Sequence, residues 1–115
     1  MKAGVIGLGH GSRVLINSFR LSQIEVYGIS SKNFLKAKKI GKDKKILNIY
    51  ENWKLLVKDK NIDIIAIAVP AKFQIDIIKE CIKRNKIILC EKPLGTNILS
   101  INKIIRILIN YKKYV

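Results

Sequence analysis

The sequence is poor in the residues that build disulfide scaffolds and metal sites. Its 115 residues include only two cysteines, two prolines, one tryptophan and one histidine. The two cysteines, Cys81 and Cys90, are too few for a disulfide framework and fit a reducing compartment. The sequence contains no Ser/His/Asp arrangement, no zinc-ligand spacing and no pair of carboxylates, so we expect neither a metal site nor a nucleophilic cysteine.

Long hydrophobic runs are also missing. The longest uncharged apolar run, at residues 64–71, is far below the ~20 residues that a membrane-spanning helix needs. Met1 and Lys2 lead straight into a glycine-rich pattern, without the features of a secretory leader. We therefore expect no membrane segment and a cytoplasmic location.

Acidic residues are scarce, with 8 Asp and Glu against 23 Lys and Arg, and the net charge is +15. Such an excess is typical of nucleic-acid-binding proteins, but here the lysines are scattered, and 23 isoleucines and 9 asparagines accompany them as AT-rich codons would produce. No aromatic interleaving or nucleic-acid motif is present, so we expect no nucleic-acid partner. The densest run of lysines is typical of a solvated helix end and loop, and consists of Lys36, Lys38, Lys39, Lys42, Lys44 and Lys45.

The apolar residues, 49% of the chain, alternate between strand-like and helix-like patterns. Strands are predicted at 3–6, 25–30, 46–49, 62–69 and 86–90. Helices are predicted around Val14 to Phe19, at 33–40, 51–58 and 72–84, and from a cap at Thr96 or Asn97 to about Tyr111. Strands that alternate with helices imply right-handed crossovers and one doubly wound, all-parallel sheet of about five strands over residues 1–115, the Rossmann architecture.

A glycine turn joins the first strand to the first helix. Gly7 and Gly9 stand where a phosphate-binding turn needs glycine, while the third position of the G-x-G-x-x-G pattern is Ser12 and a glycine comes one place earlier, at Gly11. We expect the backbone amides near Gly9, His10 and Gly11 to face a pyrophosphate, with the helix dipole behind them.

The end of the second strand predicts which nicotinamide cofactor is bound. An acidic residue there would bind the ribose 2′-hydroxyl of NAD and repel the 2′-phosphate of NADP. This sequence instead has Ser30, Ser31, Lys32 and Asn33, which favours NADP. The alternative is NAD held by Ser30, with Lys32 as one more exposed lysine.

The fifth predicted strand ends in Glu91-Lys92-Pro93, and the fourth ends in Ala68-Val69-Pro70. Together with the glycine turn, these motifs strongly resemble the glucose-fructose oxidoreductase, inositol dehydrogenase and rhizopine catabolism protein family (Gfo/Idh/MocA). The resemblance covers residues 2 to about 110, the cofactor-binding domain of that family. It implies hydride transfer between a nicotinamide and a carbinol carbon of a sugar, cyclitol or sugar nucleotide.

The resemblance also implies roles for individual residues. Lys92 would be the catalytic residue beside the nicotinamide and the substrate hydroxyl, Glu91 would orient it and Pro93 would fix the turn. Val69 and Pro70 would contact the cofactor. Gln74 stands where many members have a histidine, and His10 is expected to flank the cofactor.

Enzymes of the resembled family are much longer, and a second domain supplies most of their substrate site. We therefore expect a truncated chain, one half of a split enzyme or an excised domain, with poor turnover alone. A separately encoded substrate domain, or self-association through the last helix at Ile107 and Ile109, is the expected partner. The alternative is a non-catalytic module that senses a nucleotide or binds a partner.

Overall fold

The fold, taken from a computed structural model, is described for residues 1–9, 12–90, 98–109 and 111. Strands and helices alternate along the chain. The strands are β1 (Lys2–Ile6), β2 (Glu25–Ser30), β3 (Asn48–Tyr50), β4 (Ile64–Ile67) and β5 (Ile87–Cys90). The helices are α1 (Ser12–Leu21), α2 (Phe34–Lys44), α3 (Trp53–Lys58), α4 (Gln74–Lys83) and α5 (Ile98–Leu108), and a 3-10 turn (Ala71–Phe73) precedes α4.

The strands form one parallel sheet in the order β3-β2-β1-β4-β5. β1 lies between β2 and β4, with Ile6 paired to Ser30 on one side and to Ile67 on the other. The strand order runs outward from β1 in both directions, so the crevice beside the carboxyl end of β1 is the topological switch point of the sheet. This arrangement confirms the predicted doubly wound parallel sheet.

The sheet is covered by helices on both faces, and each face has its own hydrophobic core. One core contains Ile16 and Phe19 of α1 and Ala37 of α2; the other contains Leu56 of α3 and Ile78 of α4. All four residues of β4 are buried, as its unbroken apolar run predicts for a strand covered on both faces.

Helix boundaries differ from prediction where capping overrides the apolar pattern. α2 begins as expected, because the Asn33 side chain accepts a hydrogen bond from the Lys36 amide. It continues past Ile40 to Lys44, and the capping residue after it, Lys45, adopts a left-handed conformation with φ 58°. The third strand is Asn48–Tyr50 instead of the predicted 46–49, because residues 46 and 47 connect the end of α2 to the sheet.

The apolar residues of α1 and α4 differ in how deeply they are buried. Val14 on α1 is 67% exposed, so it lies on the solvent side of that helix. In α4, the helical spacing predicts that Ile75, Ile78, Cys81 and Ile82 point inward. Ile78 and Cys81 are fully buried, whereas Ile75 and Ile82 are only partly buried, and Ile77 is buried in addition. The buried residues of α4 are spaced i, i+3, i+4 and i+7, at Gln74, Ile77, Ile78 and Cys81, so Ile75 and Ile82 lie at the edge of the buried stripe.

The last helix is also less uniformly exposed than its apolar sequence predicts. Leu108 is buried, and Ile107 packs against the same core as α3 and α4. Among the side chains of this segment that the structure describes, Ile105 and Ile109 are exposed, at 47% and 74%. Within the described ranges, no helix combines the length and apolar character needed to cross a membrane.

Candidate functional site

A cleft of about 650 Å³ opens at the carboxyl ends of the central strands. Its floor is the turn after β1, one wall is the loop after β2, and the other wall is the segment after β4. Residues that follow β3 also reach it, because β3 lies beside β2 and ends at the same edge of the sheet. The cleft therefore coincides with the switch point, where open parallel sheets bind their ligands.

Gly7 is the residue at which the chain turns out of β1. Its φ is +92°, and its amide donates a hydrogen bond to the Ser30 carbonyl, 2.8 Å away. A Cβ atom at this position would collide with the carbonyl group of Ala68. Only glycine fits here, both for conformation and for space.

Gly9 has different surroundings from Gly7. A Cβ atom built on Gly9 would have no non-neighbouring atom of the described residues within 4 Å, and Gly9 lines the cleft. The glycine thus leaves open a space that a side chain would occupy, as close approach of a pyrophosphate to the backbone requires. By this observation the turn fits a dinucleotide.

Ser12, at the third position of the glycine pattern, stabilises the turn from within. It is buried, and its hydroxyl donates a 2.8 Å hydrogen bond to the Gly9 carbonyl. The same carbonyl accepts from the Ser12 amide at 3.1 Å. Ser12 is thereby placed behind the turn and is not among the residues that line the cleft.

The loop after β2 brings the predicted ribose-binding residues together at one wall. Ser30, Ser31, Lys32 and Asn33 all line the cleft. Ser31 Oγ accepts a hydrogen bond from the Asn33 amide, and Asn33 Oδ1 accepts one from the Lys36 amide. Both side chains therefore shape the start of α2, while the Ser31 hydroxyl keeps its proton for donation.

Two further charged residues, Lys36 and Glu51, line the cleft but were not predicted as site residues. Lys36 lies one turn into α2, and Glu51 follows β3. The helical spacing from Asn33 could have indicated Lys36, whereas Glu51 joins the cleft through strand order. The wall near the end of β2 thus carries two ammonium groups, of Lys32 and Lys36, and one carboxylate.

The opposite wall consists of the segment after β4. Val69 and Pro70 line the cleft, as predicted, and Phe73 joins them. Gln74 is buried at 1% exposure, and its side-chain amide donates to the Val69 carbonyl at 3.4 Å. Gln74 therefore supports the wall from behind. Phe73 and Trp53, which also lines the cleft, had no local pattern that indicated this position.

Several predicted site residues lie outside the described residues. These are His10, Gly11, Glu91, Lys92 and Pro93. Their expected roles in phosphate binding and catalysis remain predictions from the sequence.

Cys81 and the buried lysine, Lys86, are structural groups by their surroundings. Burial raises the pKa of the Cys81 thiol to about 12, so it carries no thiolate at neutral pH. Lys86 is buried at the amino end of β5, and its ammonium donates to the carbonyls of Asp59 and Ile62 at 2.8 and 2.5 Å. Burial lowers the pKa of Lys86. Where the structure is described, no three His, Cys, Asp or Glu side chains are grouped to hold a metal ion.

A parallel sheet with a glycine turn and an open cleft at its switch point defines the class of dinucleotide-binding Rossmann domains. Over residues 1–115, the sequence matches the Gfo/Idh/MocA family, described as an oxidoreductase family with an NAD-binding Rossmann fold. The chain belongs to this family, and it holds the NAD-binding domain. The resemblance found in the sequence motifs is thereby confirmed.

Two related proteins are named as dehydrogenases. The chain is 31% identical over 81 residues to trans-1,2-dihydrobenzene-1,2-diol dehydrogenase of Xenopus tropicalis, which is 70% of this chain and 24% of the relative. It is 24% identical over 106 residues to myo-inositol 2-dehydrogenase of Thermotoga maritima, which is 91% of this chain and 32% of the relative. The chain thus spans about a quarter to a third of the length of these curated relatives.

Solved structures show the same fold. The myo-inositol dehydrogenase of Lactobacillus casei, solved in complex with NAD(H) and myo-inositol, superimposes with a TM-score of 0.88 at 23% identity. The match covers all of this chain and 35% of that one. An oxidoreductase of Thermotoga maritima has a TM-score of 0.90 at 19% identity, over all of this chain and 36% of that one.

Proposed function

We propose that this chain is the cofactor-binding part of an oxidoreductase that transfers hydride between a nicotinamide and a carbinol carbon of a sugar or cyclitol. The observation that carries the proposal is the open space at Gly9, within a cleft at the switch point of the sheet. The names of the relatives, inositol and dihydrodiol dehydrogenases, support a substrate that carries hydroxyl groups. The chain has only two cysteines, too few for a disulfide framework, and this supports a cytoplasmic location.

The chain's own residues would hold the dinucleotide through its phosphates and the adenosine ribose. The turn at Gly7 and Gly9 lets the pyrophosphate approach the backbone at the start of α1, where the helix dipole favours an anion. Ser30, Ser31 and Lys32 would contact the ribose, and Val69 and Pro70 would pack against the opposite side. When bound, the nicotinamide accepts or donates the hydride.

NADP is the proposed preference over NAD. The wall after β2 presents Lys32 and Lys36, whose charges attract a 2′-phosphate, although Glu51 offsets part of that charge. We expect the variant Ser31→Ala/Lys32→Asp to reverse the order of the two affinities. Near-surface charge pairs contribute on the order of 1 kcal/mol each, so the change in preference should be roughly tenfold. Equal affinities for NADPH and NADH in the parent chain would remove the basis for the preference.

Lys92 would perform the catalytic step, as the Glu91-Lys92-Pro93 motif implies. Its ammonium would hydrogen-bond the reacting oxygen of the substrate and stabilise alkoxide character as hydride leaves. Lys92→Ala should leave the affinity for NADPH unchanged, because this interaction strengthens only in the transition state. It should abolish turnover when the chain works with a substrate-binding region, whether in the same or a separate polypeptide.

Trp53 provides the direct test of cofactor binding. It is the single tryptophan of the chain and it lines the cleft, so a bound dihydronicotinamide cofactor should quench its fluorescence by energy transfer. We expect saturable quenching by both NADPH and NADH. Half-saturation should occur at a lower concentration for NADPH than for NADH. Absence of saturable quenching, and of calorimetric heat, with either cofactor at millimolar concentration would contradict the proposal.

A further inference from the structure

Two residues meet across the cleft. Lys32 belongs to the loop after β2, and Phe73 ends the 3-10 turn that follows β4. The Lys32 ammonium lies 3.3 Å from the centroid of the Phe73 ring. Because β1 lies between β2 and β4 in the sheet, this contact passes over the carboxyl end of β1, next to the turn that contains Gly9.

The contact is a cation–π interaction, in which the negative face of the ring attracts the ammonium. Lys32 is an exposed side chain, so such an interaction is weak enough to be exchanged for a better partner. A second ammonium, that of Lys72, lies 5.0 Å from the same ring centroid. The two ammonium groups near one ring repel each other, which lowers the free-energy cost of releasing Lys32.

We propose that Phe73 is a specificity-determining residue for the cofactor, because its ring competes with the 2′-phosphate of NADP for the Lys32 ammonium. While the Lys32 ammonium contacts the Phe73 ring, it cannot neutralise a 2′-phosphate. When it binds a 2′-phosphate, it no longer contacts the ring. The preference for NADPH is therefore smaller than Lys32 alone would produce. The proposal rests on the proposed function, because it requires that the cleft bind a nicotinamide dinucleotide.

A double-mutant cycle with Phe73→Leu and Lys32→Met tests the competition. Leucine keeps an apolar side chain against the wall but removes the ring face, and methionine keeps the alkyl chain but removes the charge. The dissociation constants of NADPH and NADH are measured by Trp53 fluorescence and by calorimetry for the parent, both single variants and the double variant. Thermal unfolding of each variant shows whether it is folded.

Phe73→Leu should raise the affinity for NADPH about two- to fivefold, the equivalent of one exposed cation–π contact, and leave the affinity for NADH unchanged. In the Lys32→Met background, Phe73→Leu should change neither affinity. The fragments 2′,5′-ADP and 5′-AMP should repeat the NADPH and NADH patterns respectively, because only the first carries the 2′-phosphate. If Phe73→Leu does not fold, Phe73→Met serves in the same cycle.

A loss of affinity for both cofactors in Phe73→Leu, equal with and without the Lys32 charge, would overturn the competition and show that the ring contacts the nucleotide itself. Independent effects of the two substitutions on NADPH binding would also overturn it, while the proposed function would stand. A parent chain that binds neither NADPH nor NADH would overturn both.

Discussion

Gly7 and Gly9 stand two residues apart in one turn, yet they differ in what a side chain would meet. A Cβ atom on Gly7 would collide with the Ala68 carbonyl in a backbone conformation with φ +92°, whereas one on Gly9 would enter open space. The first glycine is therefore a requirement of the fold, and the second is a requirement of the proposed ligand.

Substitution at these positions should separate stability from binding. We expect Gly7→Ala to lower the free energy of unfolding by about 2 to 4 kcal/mol, from backbone strain and the collision with Ala68. Gly9→Val should change it by less than about 1 kcal/mol and abolish NADPH binding. Urea unfolding measures the first effect and Trp53 quenching the second. A stable Gly9→Val variant that binds NADPH as the parent does would contradict the assignment.

A second residue pair links the end of β3 to the end of α3. The Tyr50 hydroxyl donates to Asp59 Oδ2 at 2.5 Å. Burial, and then the bond to Asp59, raise the pKa of Tyr50 above its ordinary value of 10.0, and the same bond lowers the pKa of Asp59 below 3.8. The tyrosine contribution to stability is thus present below pH 10 and is lost above it, while the Asp59 contribution is present above about pH 4 and is lost in acid.

Removal of the Tyr50 hydroxyl should change how stability depends on pH. Tyr50→Phe is expected to lower the free energy of unfolding at pH 7 by about 1 to 2 kcal/mol. Above pH 10 the parent should lose stability more steeply than Tyr50→Phe, because only the parent must keep this phenol protonated. Chemical unfolding from pH 7 to 11 measures both curves, and Tyr114→Phe shows the effect of removing a different phenol. Parallel curves would contradict the assignment.

At the scale of secondary structure, α2 shows how capping sets the length of an element. Its amino end has the favourable cap, Asn33, but its carboxyl end stops at a lysine in the left-handed region. The Lys45 amide donates to the carbonyls of Gly41 and Lys42, an arrangement in which glycine is the preferred residue.

Lys45→Gly should therefore stabilise the protein by about 0.5 to 1 kcal/mol, since glycine adopts φ 58° without steric cost. Lys42→Gly is the matched control, because it removes a lysine of the same helix at a position with ordinary helical geometry. The control should destabilise by about 0.5 to 1 kcal/mol. Both are measured as midpoints of urea unfolding. Equal shifts in the two variants would show that the lost charge, and not the backbone conformation, causes the change in stability.

Most elements could be predicted because their causes are local. The apolar run of β4 is short and continuous, β2 was predicted with its exact bounds, and Asn33 stands directly before α2. The 3-10 turn before α4 could not be predicted, because it depends on how Pro70 directs the chain away from the sheet.

For the whole molecule, exposed apolar residues on the last helix and a large positive charge act in opposite directions. Ile105 and Ile109 are exposed, which favours association, while the net charge of +15 makes two copies repel each other. Of the two residues named for the predicted contact surface, Ile109 is exposed and Ile107 is partly buried against the core. Self-association should therefore depend on ionic strength.

Sedimentation velocity at micromolar concentration should show more dimer as salt rises, because the Debye length falls from about 10 Å at 0.1 M to about 3 Å at 1 M. Ile109→Lys should reduce the dimer fraction at every salt concentration. Leu47→Lys is the matched control, since Leu47 is 93% exposed but lies before β3, and it should leave the dimer fraction nearly unchanged. A parent chain that stays monomeric throughout would contradict this expectation.

The sequence by itself determined the parallel sheet, the glycine turn and the family, because period, spacing and turn residues act over a few neighbouring positions. Only the tertiary structure decided which side chains share the cleft. Glu51 reaches it because β3 lies beside β2, and Phe73 meets Lys32 because their strands flank β1. Such contacts join residues that are distant in the chain, and they depend on strand order and on side-chain direction, neither of which a local pattern contains.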